Sequence, residues 1–308
     1  MTRADDLQRD WDYRPSKPSL LTRAMRLRSR VRGWSCAPEW MALRPITPAV
    51  RWNGLFLFAP DGRLDPTQVE TVRRLSALDG RMAVILAAPT LAACDDPVFE
   101  SAQALYWKAL GGFDFSAYSI FLQEVATRSP GALLYLQNDS VLGPFGDVDR
   151  LIAGMKWRTG GFLASAAMEN HIQSFAFVLR DVSPAFVRTL RPVFPLQRAL
   201  DDWRDVVCRQ ETRFARIAAR GGSVGALWYS DHPRAAELGL AETLVQRVKG
   251  RTELHDVRDP SLVAATTLLE TGFPFLKRSL FGRNARFQDR EHLVALLRTH
   301  DHPVPHAP

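Results

Sequence analysis

The chain has 308 residues, 46% hydrophobic and 24% charged, with 17 Phe, 8 Trp and a formal net charge of +7. That composition buries a sizeable core and excludes disorder over most of the length; no apolar run approaches the roughly 20 residues that span a bilayer, and Met1 to Arg14 hold no stretch of the kind that opens a secretory leader. Three widely spaced cysteines (Cys36, Cys94, Cys208) make neither a disulfide framework nor a zinc pattern and suit a reducing cytoplasm.

The charge is local. Seven basic residues (Arg14, Lys17, Arg23, Arg26, Arg28, Arg30, Arg32) and no acidic one stand between Arg14 and Arg32, and the rest of the chain balances. Nucleic-acid binding calls for basic residues spread over a recognition face, so no nucleic-acid partner is expected. Ser19 is positioned to cap a helix from Leu20 to about Val31. Leu20, Ala24, Leu27 and Val31 recur at helical spacing, with Leu21 and Met25 beside them and arginines at most other positions. Such a helix either lies on an anionic membrane surface or packs on the main domain with its arginines solvated. Pro38, Pro45 and Pro48 then separate a basic arm, residues 1–48, from the main domain.

From Trp52 onward, strand-like and helix-like runs alternate. Gly54 to Pro60, Met82 to Pro89, Ala104 to Lys108 and Ala132 to Gln137 read as buried strands. Val69, Val72, Leu75 and Leu78 share one helical face, and Phe115 to Thr127 reads as a second helix. Gly161 to Ser165, Ser174 to Leu179 and Val224 to Tyr229 come next as strands, with a helical region over Pro195 to Arg220. Asp289 can cap a closing helix from Arg290, and residues 298–308 read as a flexible tail. Continuous apolar strands alternating with helices predict an α/β domain with a mostly parallel sheet. Ligands of such sheets sit beyond the carboxyl ends of the strands, which directs attention to the residues after Gln137 and after Lys108.

Three polar groups stand out. Asn138, Asp139 and Ser140 end a buried strand. A carboxylate there can hold Mg²⁺ or Mn²⁺ against a nucleotide diphosphate, and the same tripeptide is also a common turn. Glu169, Asn170, His171, Gln173 and Ser174 crowd just before another strand, a dense set for sugar hydroxyls; His171 alone reads better as a structural histidine. Glu211 precedes a helical stretch ending at Gly221-Gly222, as a general base or as a solvated surface residue.

Four segments in this order and spacing resemble the rhamnan synthesis protein F family of bacterial glycosyltransferases. They are Gly111 to Val125, Leu133 to Phe145, His171 to Leu179, and Asp259 to Phe281. The last holds Gly272-Phe273-Pro274-Phe275-Leu276-Lys277, matching the family's Gly-x-Pro-Phe-x-Lys signature. The resemblance covers roughly Trp52 to Leu297. It implies a GT-A-like nucleotide-binding domain over 49–297, with a donor half to about 180 and an acceptor half beyond. It also implies an inverting hexosyltransferase that moves a sugar such as rhamnose from a nucleotide-diphosphate donor to a growing cell-surface polysaccharide, its acceptor lipid-linked. Asp139, flanked by Asn138 and Ser140, would take the metal and diphosphate, although one acid stands where GT-A enzymes have two. Asp114 would contact nucleotide or donor sugar, His171, Gln173 and Ser174 would lie near both sugars, and Lys277 would offset diphosphate charge. Glu211 falls where the family has a Tyr-Glu pair, here Gln210-Glu211, and is the expected base, with Asp147 and Glu169 as alternatives. Such an enzyme is expected in the cytoplasm or at the inner face of the cytoplasmic membrane. The rival reading is a noncatalytic carbohydrate- or membrane-binding assembly factor on the same fold.

Overall fold

The computed structural model describes residues 7–18, 20–231 and 259–305. The chain opens with β1 (Leu7–Asp12), α1 (Leu20–Arg32), β2 (Ser35–Cys36) and β3 (Trp40–Arg44). The alternating run continues as β4 (Arg51–Phe58), α2 (Pro66–Ser76), β5 (Arg81–Ala87), β6 (Ala104–Lys108), α3 (Phe113–Arg128), β7 (Ala132–Asn138), β8 (Val141–Leu142) and α4 (Val148–Gly154). The second half holds β9 (Thr159–Ser165), β10 (His171–Ile172), β11 (Ala176–Val182), α5 (Pro184–Leu190) and β12 (Arg198–Ala199). Then come α6 (Trp203–Val206), α7 (Thr212–Ala218), β13 (Val224–Ser230), β14 (Leu276–Lys277) and a closing helix α8 (Arg290–Thr299) capped by Asp289.

Among the described residues, ten strands form one sheet in the order β1-β13-β9-β11-β7-β4-β5-β6-β3, with β10 paired to β9. β4, β5, β6 and β7 are mutually parallel, and β9 and β13 are parallel to each other. Antiparallel β11 lies between β7 and β9, so all six run the same way. The expected α/β class with a mostly parallel sheet is what forms. The physical cause is burial on both faces. Along β7, Leu134 and Leu136 face a layer with Phe121, Phe177 and Phe214, while Tyr135 faces one with Val72, Trp228 and Phe275. The strand period of two therefore divides each apolar run between two layers. The carboxyl ends of these six strands lie along one rim of the sheet.

Two expectations about the chain ends are corrected. The N-terminal segment is not a separate arm: β1 pairs with β13, β2 with β12 and β3 with β6. The α1 helix forms as expected, although the Ser19 cap lies outside the described residues. Its packed face, however, is the polar one: Thr22, Arg26 and Ser29 are buried, and Leu20, Ala24, Leu27 and Val31 are exposed. The described part of the tail is also packed. His300 stacks on Phe145 with ring centroids 4.6 Å apart, and His302 is buried. Among the described residues no helix is long and apolar enough to cross a membrane.

Candidate functional site

Beyond the ends of β4 and β7 lies a cleft of about 1000 Å³. Asp139 and Ser140 form part of one wall, and Lys277, Arg278 and Arg283 part of another. The two walls meet because β14 pairs antiparallel with β8, setting Lys277 against Val141, and Arg278 N donates to the Ser140 carbonyl at 3.0 Å. Gly143 permits this docking. It has φ +109°, and a Cβ there would sit 2.6 Å from the Pro274 carbonyl oxygen. Lys277 also lies over the Phe175 ring, 4.4 Å from its centroid.

Asp139 is held from behind. Its Oδ2 accepts from Phe58 N at 2.8 Å and from Gln68 Nε2 at 2.7 Å. Gln68 is the third helical residue of α2 and closes a capping box with Asp65, so the start of that helix and the aspartate are one hydrogen-bonded unit. Burial raises the Asp139 carboxyl above the usual carboxylate range. Sequence reasoning alone does not single out Gln68 or Arg278; the Asp65-x-x-Gln68 capping spacing and the Lys277-Arg278 pair are the signals that point to them.

Asn138 turns the other way. Its Nδ2 donates to Asp114 Oδ2 at 2.7 Å, and its Oδ1 accepts from Ser140 N and Oγ. Burial, with the neighbouring Glu211 carboxylate second, pushes the Asp114 carboxyl up to about 6. Glu211 Oε2 accepts from Ser174 N at 3.0 Å and from the Ser174 hydroxyl. Gln173 Nε2 donates at 2.8 Å to Asp259, which lines the cleft. Three hydrogen-bonded pairs, Asp114 with Asn138, Ser174 with Glu211 and Gln173 with Asp259, thus make up a polar network beside the cleft; the first is bonded to its wall at Ser140, the third at Asp259, and Glu211 is coupled to Asp114 through charge. No described residue bonds Glu211 Oε1. Buried Lys108, at the end of β6, adds a cation; burial lowers its ammonium to about 8 against the pull of Asp114 and Asp201.

Glu211 directly precedes a helix, α7, as expected, but it is not the start of an ordinary helical run. It closes a π-turn, Val207–Glu211, inserted between α6 and α7. Such turns are uncommon inside helices and recur at functional positions.

Not every candidate joins the network. His171 is buried, and its Nδ1 donates to the Glu169 carbonyl at 2.7 Å, fixing the ring within its own turn. Like Asp114, Asn138, Gln173, Ser174 and Glu211 it does not line the cleft, but unlike them it has no side-chain bond, among the described residues, toward a residue of that network. Both alternative bases are otherwise engaged. Asp147 is exposed and caps α4, accepting from Arg150 N at 2.9 Å. Glu169 is buried in an ion pair with Arg26, with Arg216 at 3.8 Å.

The residues around Asp139 do not make a resident Mg²⁺ or Mn²⁺ site. The neighbouring carboxylate, Asp65, accepts from Thr67 and Gln68 on Oδ1 and from Arg278 on Oδ2. No group of three His, Cys, Asp or Glu side chains able to hold a metal occurs among the described residues. Positive charge in the cleft comes instead from Arg63, Lys277, Arg278 and Arg283.

Asp114 makes stability depend on pH. A carboxyl whose pKa rises from 3.8 to about 6 on folding binds protons more tightly in the folded state, so its contribution to stability falls as pH rises through that window. Urea titrations between pH 4 and 7 should therefore show Asp114→Asn gaining stability relative to the parent as pH rises. A constant difference would show that Asp114 titrates normally.

No family model matches the chain, and no curated protein matches it. Among solved structures, it is similar to the inositol-1-phosphate CTP transferase of T. maritima (14% identity, TM-score 0.36, 66% of this chain and 98% of that one). A 4-diphosphocytidyl-2C-methyl-D-erythritol synthase of Anaerococcus prevotii aligns at 9% identity and TM-score 0.38 over 64% of this chain and 97% of that one. S. aureus TarS aligns at 10% identity and TM-score 0.36 over 72% of this chain and 44% of that one, so less than half of TarS is spanned. Scores this low mark partial likeness only. The chemistry open to the cleft is set by its own residues.

Proposed function

We propose that the protein is a glycosyltransferase that moves a sugar, a deoxyhexose such as rhamnose, from a nucleotide-diphosphate donor to a polysaccharide acceptor carried on a lipid. The observation that carries this reading is the β14–β8 pairing, which brings two cations, Lys277 and Arg278, to the Asp139-Ser140 wall at the carboxyl ends of parallel strands. An open cleft with cations on one side and a fixed carboxylate on the other suits a diphosphate joined to a hydroxyl-rich group. Lys277, Arg278 and Arg283 would hold the diphosphate and stabilise its charge as it leaves. Asp139 would accept from donor hydroxyls. The acceptor hydroxyl would attack the anomeric carbon from the face opposite the departing diphosphate, inverting that centre, while its proton passes to Glu211 Oε1. Ser174 orients that carboxylate through Oε2.

A thermal-shift screen of nucleotide sugars, run in Mg²⁺, in Mn²⁺ and in EDTA, tests the donor side. The matching donor at about 100 times its Kd should stabilise the protein by about 2.7 kcal/mol. The shift should persist in EDTA, because arginine and lysine carry the charge. Asp139→Asn should abolish the shift and transfer together. Donor binding without any turnover on glycan acceptors would favour the noncatalytic reading, and no shift with any nucleotide sugar would remove the donor assignment.

A further inference from the structure

The α1 helix is packed with its polar side inward. At about 100° per residue, Thr22, Arg26 and Ser29 share one face and Leu20, Ala24, Leu27 and Val31 the opposite one. The first three are buried, whereas Leu20, Leu27 and Val31 are 82%, 64% and 83% exposed. What holds the helix this way is specific. Arg26 Nε donates to the Cys208 carbonyl at 2.9 Å, and Nη2 donates to Thr212 Oγ1 at 2.8 Å and to Glu169. From the other side, Arg209 Nη1 donates to the Ser29 and Gly33 carbonyls at 3.1 and 2.9 Å. A solvent-exposed apolar stripe three turns long is thus presented in a fixed orientation.

Charge tells what covers it. Arg23 and Arg30 flank the stripe on one side and Arg28 on the other, all exposed, in a segment without any acidic residue, while Arg32 is paired with Asp202 and Asp205. We infer that this face docks on an anionic lipid surface, the stripe entering the headgroup–acyl boundary and the flanking arginines meeting lipid phosphates. A second copy of the chain would bring the same arginines against one another, which charge repulsion opposes. The inner side of α1 rests on the π-turn that carries Glu211. Docking would therefore bring a membrane-carried acceptor to the side of the molecule where the expected base lies. That last point rests on the transfer reading; the docking itself does not.

The test is co-sedimentation of the full chain with vesicles, without any nucleotide sugar. Phosphatidylcholine vesicles containing phosphatidylglycerol should retain the protein, less so as salt rises, and pure phosphatidylcholine should retain little. Leu27→Asp/Val31→Asp should weaken retention by ~10-fold or more, since it charges the inserted stripe. Arg23→Gln/Arg28→Gln/Arg30→Gln leaves the apolar stripe intact. It should weaken retention by roughly fivefold per arginine and flatten the salt dependence. Both variants alter exposed side chains, and unchanged far-ultraviolet circular dichroism checks that they fold. Equal retention by neutral and anionic vesicles, or unchanged retention of either variant, overturns the proposal. So does a parent chain that ignores vesicles and sediments as a dimer dissolved by Leu27→Asp/Val31→Asp.

Discussion

Glu211→Gln is expected to lower turnover by about 10²- to 10⁴-fold while leaving donor affinity within a few-fold of the parent. Glutamine keeps the shape of the side chain, and its carbonyl oxygen can still accept from Ser174 N and Oγ, so the π-turn and the Ser174 loop should survive. What glutamine cannot do is take a proton. The prediction is therefore a loss in kcat with little change in donor binding or Tm, measured by steady-state transfer and by donor titration on the same preparation. A variant that turns over like the parent would end the role of Glu211 as base. With Asp147 engaged in capping α4 and Glu169 in an ion pair with Arg26, the next candidate would be Asp114. Its carboxyl, pushed up to about 6, is already poised for proton transfer near neutral pH.

The largest effect on stability is expected at Arg26. Arg26→Met leaves the Glu169 carboxylate buried, with Arg216 at 3.8 Å as its remaining charged partner. It also strips donors from the Cys208 carbonyl and the Thr212 hydroxyl. Breaking one side of a buried pair costs about 3–5 kcal/mol, because the other charge stays behind without its counterion. At roughly 2–4 °C per kcal/mol for a large domain, Tm should fall by at least about 6 °C. Arg26→Met/Glu169→Leu should recover much of that loss, because the unpaired charge is then gone. A double variant no more stable than Arg26→Met would mean that the arginine acts through the Cys208 and Thr212 contacts rather than through the ion pair. Thermal denaturation of the parent and these variants, with Glu169→Leu alone, decides between the two.

The sequence by itself determined the elements whose local pattern and burial agree. The runs at β4, β5, β6 and β7 are apolar throughout, and a strand with both faces apolar can be satisfied only inside a covered sheet. The α3 helix and the Asp289-capped α8 were legible for the same reason, since periodicity and capping are local. The end of β7 was legible as a site because parallel strands deliver their succeeding residues to one rim.

Only the tertiary structure decided how distant segments meet. Periodicity gave α1 an apolar face and hence an expected packing side, but which side packs depends on what it meets. Arg26 meets Glu169, 143 residues away, and that pair turns the apolar stripe outward. Nothing near Arg26 in the chain encodes its partner. Lys277 and Arg278 reach the Asp139 wall through a two-residue strand too short to announce itself by alternation, and Arg278 bonds Asp65 across 213 residues. The π-turn at Glu211 was equally invisible, because it adds one residue to a helix without altering the composition around it. Asp147 and Glu169 had the right chemistry for a base. They differ from Glu211 in what already bonds their oxygens, and that is a property of contacts, which a chain acquires only on folding.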